Sequence, residues 1–149
     1  VFAPMSFWQR FRDALLDRPP AIKEFDHDAR VAIGALLLEM CRADFEVKHE
    51  ELKTLIASIQ LSFQLTSADA DQLLDLCEAE ADVAVSLRLY TTVLNDRLSD
   101  EQKRGVLAQI WEIALADGEI HQQEDLLLTR VGELLHIPDR HLRVIRQRD

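Results

Sequence analysis

Residues 35–55 read ALLLEMCRADFEVKHEELKTL, and residues 108–128 read AQIWEIALADGEIHQQEDLLL. Aligned without gaps, the two stretches are identical at seven of 21 positions, whereas ordinary composition gives roughly one or two identities by chance. The identical pairs are Ala35/Ala108, Glu39/Glu112, Ala43/Ala116, Asp44/Asp117, Glu46/Glu119, Glu51/Glu124 and Leu55/Leu128. The chain therefore contains an internal duplication in which a buried helix leads through an acidic elbow into an amphipathic helix.

The rest of the chain also follows helical patterns. Four Gly and four Pro in 149 residues are too few for the many turns of a β-sandwich or barrel. The helical spacing of apolar residues, together with N-capping and stop signals, predicts eight helical segments. They are 5–17, 26–44, 48–63, a segment from Thr66 or Ser67 past 76, 83–98, 99–115, 121–136 and a short one opened by Pro138-Asp139, with the proline in the first turn.

We therefore predict an all-α fold, a single bundle of about seven or eight helices built from two pseudo-twofold-related halves. The two apolar central helices can pack on each other, as in paired helical hairpins. The whole chain, 1–149, is expected to be one domain. Residues 1–4 precede Met5 and are expected to be a cloning remnant, and 5–25 form an N-terminal helix and linker. The first half is 26–82 and the second half is 83–149.

Composition excludes several classes of protein. The net charge of −10 disfavours binding to a nucleic-acid backbone, and no apolar run approaches the ~20 residues of a membrane span. Cys41 and Cys77 are too few and too far apart for a disulfide framework or a zinc site. We expect two reduced thiols in the core of a cytoplasmic protein.

Two charged regions have simple structural interpretations. The stretch 66–82 carries six acidic residues and no basic one, which predicts a solvated face of the fourth helix; the alternative is a docking surface for a basic partner. Arg140, Arg143 and Arg146 recur at helical spacing near the C-terminus, where they suit a helix dipole and can pair with acidic residues.

The acidic elbows, residues 43–51 and 116–124, share the pattern Ala-Asp-x-Glu-(Val/Ile)-x-x-x-Glu. One interpretation is architectural, because Asp117-Gly118 indicates a turn and Glu51 or Glu124 can reach back to a helix N-cap amide. The other is a divalent-cation site, because each elbow gathers an Asp and two Glu, whose oxygens are hard ligands. The spacing does not match an EF-hand loop.

At these residues the chain resembles the tellurite-resistance TerB-like family, whose elbow is typically Ala-Asp-Gly-Glu, a hydrophobic residue and a later Glu. Residues 116–120 with Glu124 match this pattern, and the resemblance covers about 29–146. The first half departs from it at Phe45, which replaces the glycine. Because a positive φ is costly for Phe, we do not expect the two elbows to be strictly symmetric. The resemblance implies an all-helical bundle with two related halves.

The resemblance also implies a non-enzymatic bacterial domain in a tellurite-resistance or stress-response context, with acidic residues suspected of binding metal. Carried over position by position, the implied ligands are Asp44, Glu46, Glu51, Asp117, Glu119 and Glu124, with Glu39 and Glu112 as second-rank additions. The cofactor would be a divalent cation such as calcium, magnesium or manganese. We expect a protein partner, no nucleic acid and no membrane contact, and a homo-oligomer stays open. The alternative functions are a pure interaction module, whose acids only cap helices, and a metal-dependent hydrolase.

Overall fold

The computed structural model describes Asp13 and residues 24–42, 48–78, 82–114 and 122–147. From residue 24 onward these form seven helices. They are α1 (His27–Arg42), α2 (His49–Ser62), α3 (Ser67–Glu78), α4 (Val83–Arg97), α5 (Asp100–Ala114), α6 (Gln122–Leu134) and α7 (Asp139–Arg146). No strand occurs among the described residues, so the predicted all-α class is confirmed. The predicted first helix, 5–17, and the remnant at 1–4 lie outside the described residues, apart from Asp13.

Side-chain caps mark where the helices begin. The Ser99 hydroxyl accepts the Gln102 N–H at 3.1 Å, and the Gln102 side chain accepts the Ser99 N–H at 2.9 Å. This reciprocal capping box starts α5 where the sequence predicted it. Of the two candidate caps for α3, Thr66 is the one used, because its hydroxyl accepts the Asp69 N–H. Pro138 differs slightly from expectation, since it is the N-cap of α7 rather than a first-turn residue.

The turn after α2 has a counterpart after α6. Gln64 and His136 both have positive φ, 54° and 59°. The next residue in each turn donates its N–H five residues back, Leu65 to the Gln60 carbonyl and Ile137 to the Gly132 carbonyl. This is the Schellman pattern, which pairs otherwise unused carbonyls at a helix end. Helices α2 and α6 therefore end in the same kind of turn, and the twofold relation between the halves stays a prediction.

The central helix α1 forms the middle of the core. Eleven of its 16 residues are buried, because its sequence is apolar on nearly every side. It packs most extensively on α4 and also on α2 and α3, whereas α5 packs on α6 and α7. Helix α4 also contacts α6 and so joins the two groups. Extensive contact between α1 and α5, suggested by the duplication, is absent from the part of the chain that the structure describes.

Both cysteines are buried and neither forms a disulfide bond, as the sequence predicted. Burial and the neighbouring Glu39 carboxylate raise the pKa of the Cys77 thiol to about 11, which makes it a poor nucleophile. Within the described ranges, no helix has the length and apolar composition to cross a membrane.

Candidate functional site

The structure describes half of the predicted acidic ligands. Asp44, Glu46, Asp117 and Glu119 lie outside the described residues. The four acids that it does describe are the first-turn residues Glu51 and Glu124 and the central-helix residues Glu39 and Glu112. Among the described residues alone, no group of three or more His, Cys, Asp or Glu side chains is arranged to hold a metal ion.

Glu51 lies in the first turn of α2 and reaches back to the start of its own helix. Its Oε1 accepts the N–H of the N-cap residue Lys48 at 3.3 Å. This bond satisfies a helix-terminal amide, and the carboxylate also suits the positive end of the helix dipole. Glu124 occupies the corresponding place in the first turn of α6 and is half-buried. One carboxylate oxygen of Glu51 therefore makes the helix-capping hydrogen bond that the architectural interpretation of the elbow predicts.

Glu39 is fully buried in the last two turns of α1. Its Oε2 accepts a hydrogen bond from Arg42 at 2.7 Å, and Arg42 also donates to the Leu76 carbonyl at 3.1 Å. Its Oε1 has no hydrogen-bond partner among the described groups. Burial outweighs the favourable charge of Arg42 and raises the pKa of Glu39 to about 7. Near neutral pH the Glu39 side chain is therefore partly protonated and partly ionised.

The two second-rank candidates occupy different surroundings although they are equivalent in the duplication. Glu39 is enclosed and lies near the Cys77 thiol and the Tyr90 phenol. Burial is the main reason that the pKa values of both groups are raised, and the negative charge of Glu39 is the second. Glu112 is exposed on α5. The structure therefore does not present Glu39 and Glu112 as a matched pair of ligands.

The acidic stretch 66–82 was predicted to be a solvated face of its helix, and this is wrong for one residue, Asp69. Asp71, Asp75 and Glu78 are exposed, as expected, but Asp69 is buried. Its Oδ2 accepts the Thr66 N–H at 2.9 Å and lies 2.8 Å from the His27 Nε2. Position Asp69, three residues after the Thr66 cap, was a recognisable capping-box signal. Its contact with a histidine 42 residues away could not be read from sequence.

His27 is held between two carboxylates. Its Nε2 faces Asp69, and its Nδ1 lies 3.5 Å from the Asp28 carboxylate. The hydrogen bond and charge of Asp69 raise the pKa of His27. Burial would raise the pKa of Asp69, but its hydrogen bonds with His27 and Thr66 outweigh that and hold it below its usual value. Because both ring nitrogens face acids, neither is presented to a substrate as a general base.

A cleft of about 430 Å³ opens beside this pair, between α1, α3 and α4. Its walls are apolar and aromatic, formed by Val31, Ala32, Tyr90 and Val93, and charged groups surround them. One of these is Arg97, which bonds Asp26 at 3.1 Å and Asp28 at 2.9 Å. The cleft has no signature in the sequence, because its lining comes from three helices that are separated along the chain.

Comparison with known proteins gives one clear match. The family model described as "Tellurite resistance protein TerB" matches residues 30–147, which is more than half of the chain. The comparisons with curated proteins and with solved structures gave no match.

Proposed function

The chain belongs to the TerB family of tellurite-resistance proteins, and from this we propose that it is a non-catalytic domain that binds a divalent cation at its duplicated acidic elbow. The proposed ligands are Asp44, Glu46 and Glu51 in the first elbow and Asp117, Glu119 and Glu124 in the second. Calcium, magnesium and manganese are the proposed ions, because all three prefer hard oxygen ligands.

The observation that carries this proposal is the correspondence between the two helix starts. Helix α2 begins at His49 and α6 begins at Gln122, so Glu51 and Glu124 occupy the same position in the first turn of each helix. A cation would neutralise the repulsion among the three carboxylates of an elbow. The hydrogen bond from Lys48 to Glu51 engages only one carboxylate oxygen and leaves the other for a ligand.

A second candidate function is a protein-interaction module in which the elbow acids only stabilise helices. The specific observation in its favour is the same hydrogen bond between Lys48 and Glu51. In this case the loss of Glu51 or Glu124 would lower stability by about 1 kcal/mol, as for other N-terminal caps, without any effect on ion binding.

A metal-dependent hydrolase is disfavoured by the position of the cleft. The residues of α1 that line it are 27, 28, 31 and 32, whereas the first elbow follows the other end of that helix. At 1.5 Å per residue, residue 32 and Arg42, the last described residue before the first elbow, are about 15 Å apart along the helix axis. The α1 wall of the cleft is therefore at the opposite end of that helix from Arg42.

The test is calorimetric titration of the chain with calcium, magnesium, manganese and zinc. We expect saturable binding with a dissociation constant on the order of micromolar, and its loss in Asp44→Asn/Glu51→Gln and in Asp117→Asn/Glu124→Gln.

The matched control is Glu50→Gln. Glu50 lies in the same exposed first turn of α2, and the second elbow already has glutamine at the equivalent position 123. We expect it to bind as the unmodified chain does. If no ion produces heat, and the double variants are merely less stable, the elbow acids are helix caps and the interaction module is the better function.

A further inference from the structure

The cleft between α1, α3 and α4 is amphipathic in a specific way. Its apolar walls, Val31 and Val93, and the half-buried Tyr90 ring could accommodate an alkyl chain. Its charged surround is acidic on balance, because the carboxylates of Asp28, Asp69 and Asp96 outnumber the cations of His27 and Arg97. A ligand with an apolar stem and a positive end matches this combination, as a lysine or arginine side chain does.

The two cations of the cleft are already engaged by the protein. Arg97 bridges Asp26 and Asp28, and His27 lies between Asp28 and Asp69. An anionic ligand would therefore have to displace a protein carboxylate, whereas a cationic ligand can pair with Asp96, which has no ion pair within the described residues. The distribution of charge selects a basic occupant.

The position of Asp96 in its helix also favours a basic occupant of the cleft. It is exposed in the last turn of α4, where a negative charge opposes the helix dipole. No ion pair of Asp96 occurs within the described residues. This acid thus contributes nothing evident to the stability of α4, and it lies at the cleft.

An apolar ledge, Val85 and Leu89, continues the cleft along α4. These side chains are 68% and 58% exposed, and they lie one turn apart on the same face of the helix. With Val93 and Asp96 they lie within about 80° of one another around an ideal helix. The ledge and the acidic cleft therefore form one continuous surface.

We propose that this surface docks a basic amphipathic segment of a protein partner, with a lysine or arginine side chain in the cleft and apolar side chains on the ledge. The net charge of −10 would speed the encounter with such a segment. The α1 residues of the cleft lie at least about 15 Å along the helix axis from Arg42, the last described residue before the first elbow. The substitutions that test this surface leave every proposed cation ligand unchanged, so it is tested independently of the proposed cation site.

The probe is a fluorescein-labelled helical peptide of leucine and lysine, with leucine at every third or fourth position, followed by fluorescence anisotropy with the full chain. Two further peptides replace lysine by glutamate or leucine by serine. We expect saturable binding of the Leu/Lys peptide with a dissociation constant on the order of tens of micromolar. We expect none for the Leu/Glu peptide and at least about tenfold weaker binding for the Ser/Lys peptide.

Matched substitutions locate the binding surface. Asp96→Lys and Leu89→Ser should each weaken binding of the Leu/Lys peptide about tenfold. Their controls are Glu101→Lys, an exposed acid on α5, and Leu61→Ser, an apolar residue of α2 that is 78% exposed. Both controls should bind within about twofold of the unmodified chain.

Three results would overturn the proposal. One is the absence of saturable binding of the Leu/Lys peptide up to about 500 µM. Another is equal weakening by Asp96→Lys and Glu101→Lys, which would mean diffuse attraction to the whole acidic surface. The third is concentration-dependent dimerisation of the free chain, by sedimentation velocity, that Leu89→Ser abolishes, because the occupant would then be a second copy.

Discussion

Glu39→Gln should remove a large part of the pH dependence of stability between about pH 4.5 and pH 7. Glu39 is fully buried, and its pKa is raised from 4.5 to about 7 in the folded state. Between these values the folded chain holds this proton more tightly than the unfolded chain. The contribution of Glu39 to the free energy of unfolding is therefore complete below pH 4.5 and is lost as the pH rises through 7.

The magnitude follows from the difference between the two pKa values. At 1.36 kcal/mol for each pKa unit, the rise corresponds to about 3 kcal/mol. With a urea dependence of about 2 kcal/mol per molar, this is a midpoint change of about 1.5 M. Because glutamine does not titrate, Glu39→Gln should lack this component while still accepting a hydrogen bond from Arg42.

The measurement is urea unfolding by circular dichroism at several pH values between 4 and 8. His27 also loses stabilising free energy as the pH rises through its raised pKa, but it is present in both proteins. The difference between wild type and Glu39→Gln therefore isolates Glu39. Glu112→Gln, the same substitution at the equivalent exposed position of α5, is measured alongside as the comparison variant. Parallel profiles for wild type and Glu39→Gln would refute the reasoning.

The remaining predictions concern packing, an ion pair and a cap. Gly132→Ala should destabilise the fold by about 1–3 kcal/mol in urea unfolding, because the new Cβ would overlap the Leu142 side chain of α7. Gly105→Ala, whose Cβ would meet nothing within 4 Å, should be neutral or stabilising. The NMR titration midpoint of His27 should fall in Asp69→Asn, and an unchanged midpoint would exclude the proposed ion pair. Ser99→Ala should cost about 1 kcal/mol in thermal or urea unfolding, and no loss would show that its hydroxyl is not an effective cap.

The local features of the fold could be read from the sequence. The starts of α4 and α5 are fixed by Asp82 and by the Ser99–Gln102 pair, whose bonding partners lie within three residues along the chain. The apolar character of α1 predicted its central position in the same way. Helix positions were predictable because capping and amphipathicity depend on neighbours within one or two turns.

The candidate sites differ in the same way, because one is a local sequence feature and the other is formed by several helices. The duplicated elbow is a sequence feature, and one of its acids, Glu51, makes the local bond that the pattern allowed. The cleft could not be predicted, since α1, α3 and α4 each contribute part of its lining. The contact between His27 and Asp69 is of the same kind, because it joins the starts of two helices.

Sequence by itself determined that the chain is helical, that residues 35–55 resemble residues 108–128, and where the described helices begin. Only the tertiary structure decided that Glu39 is buried and Glu112 exposed, although the two occupy equivalent positions in the duplication. The physical reason is that burial depends on which helices pack around a position. Helix α1 is enclosed by α2, α3 and α4, whereas α5 packs mainly on α6 and α7. Equal sequence positions therefore acquire different solvation, and enclosure raises the pKa of Glu39 to about 7.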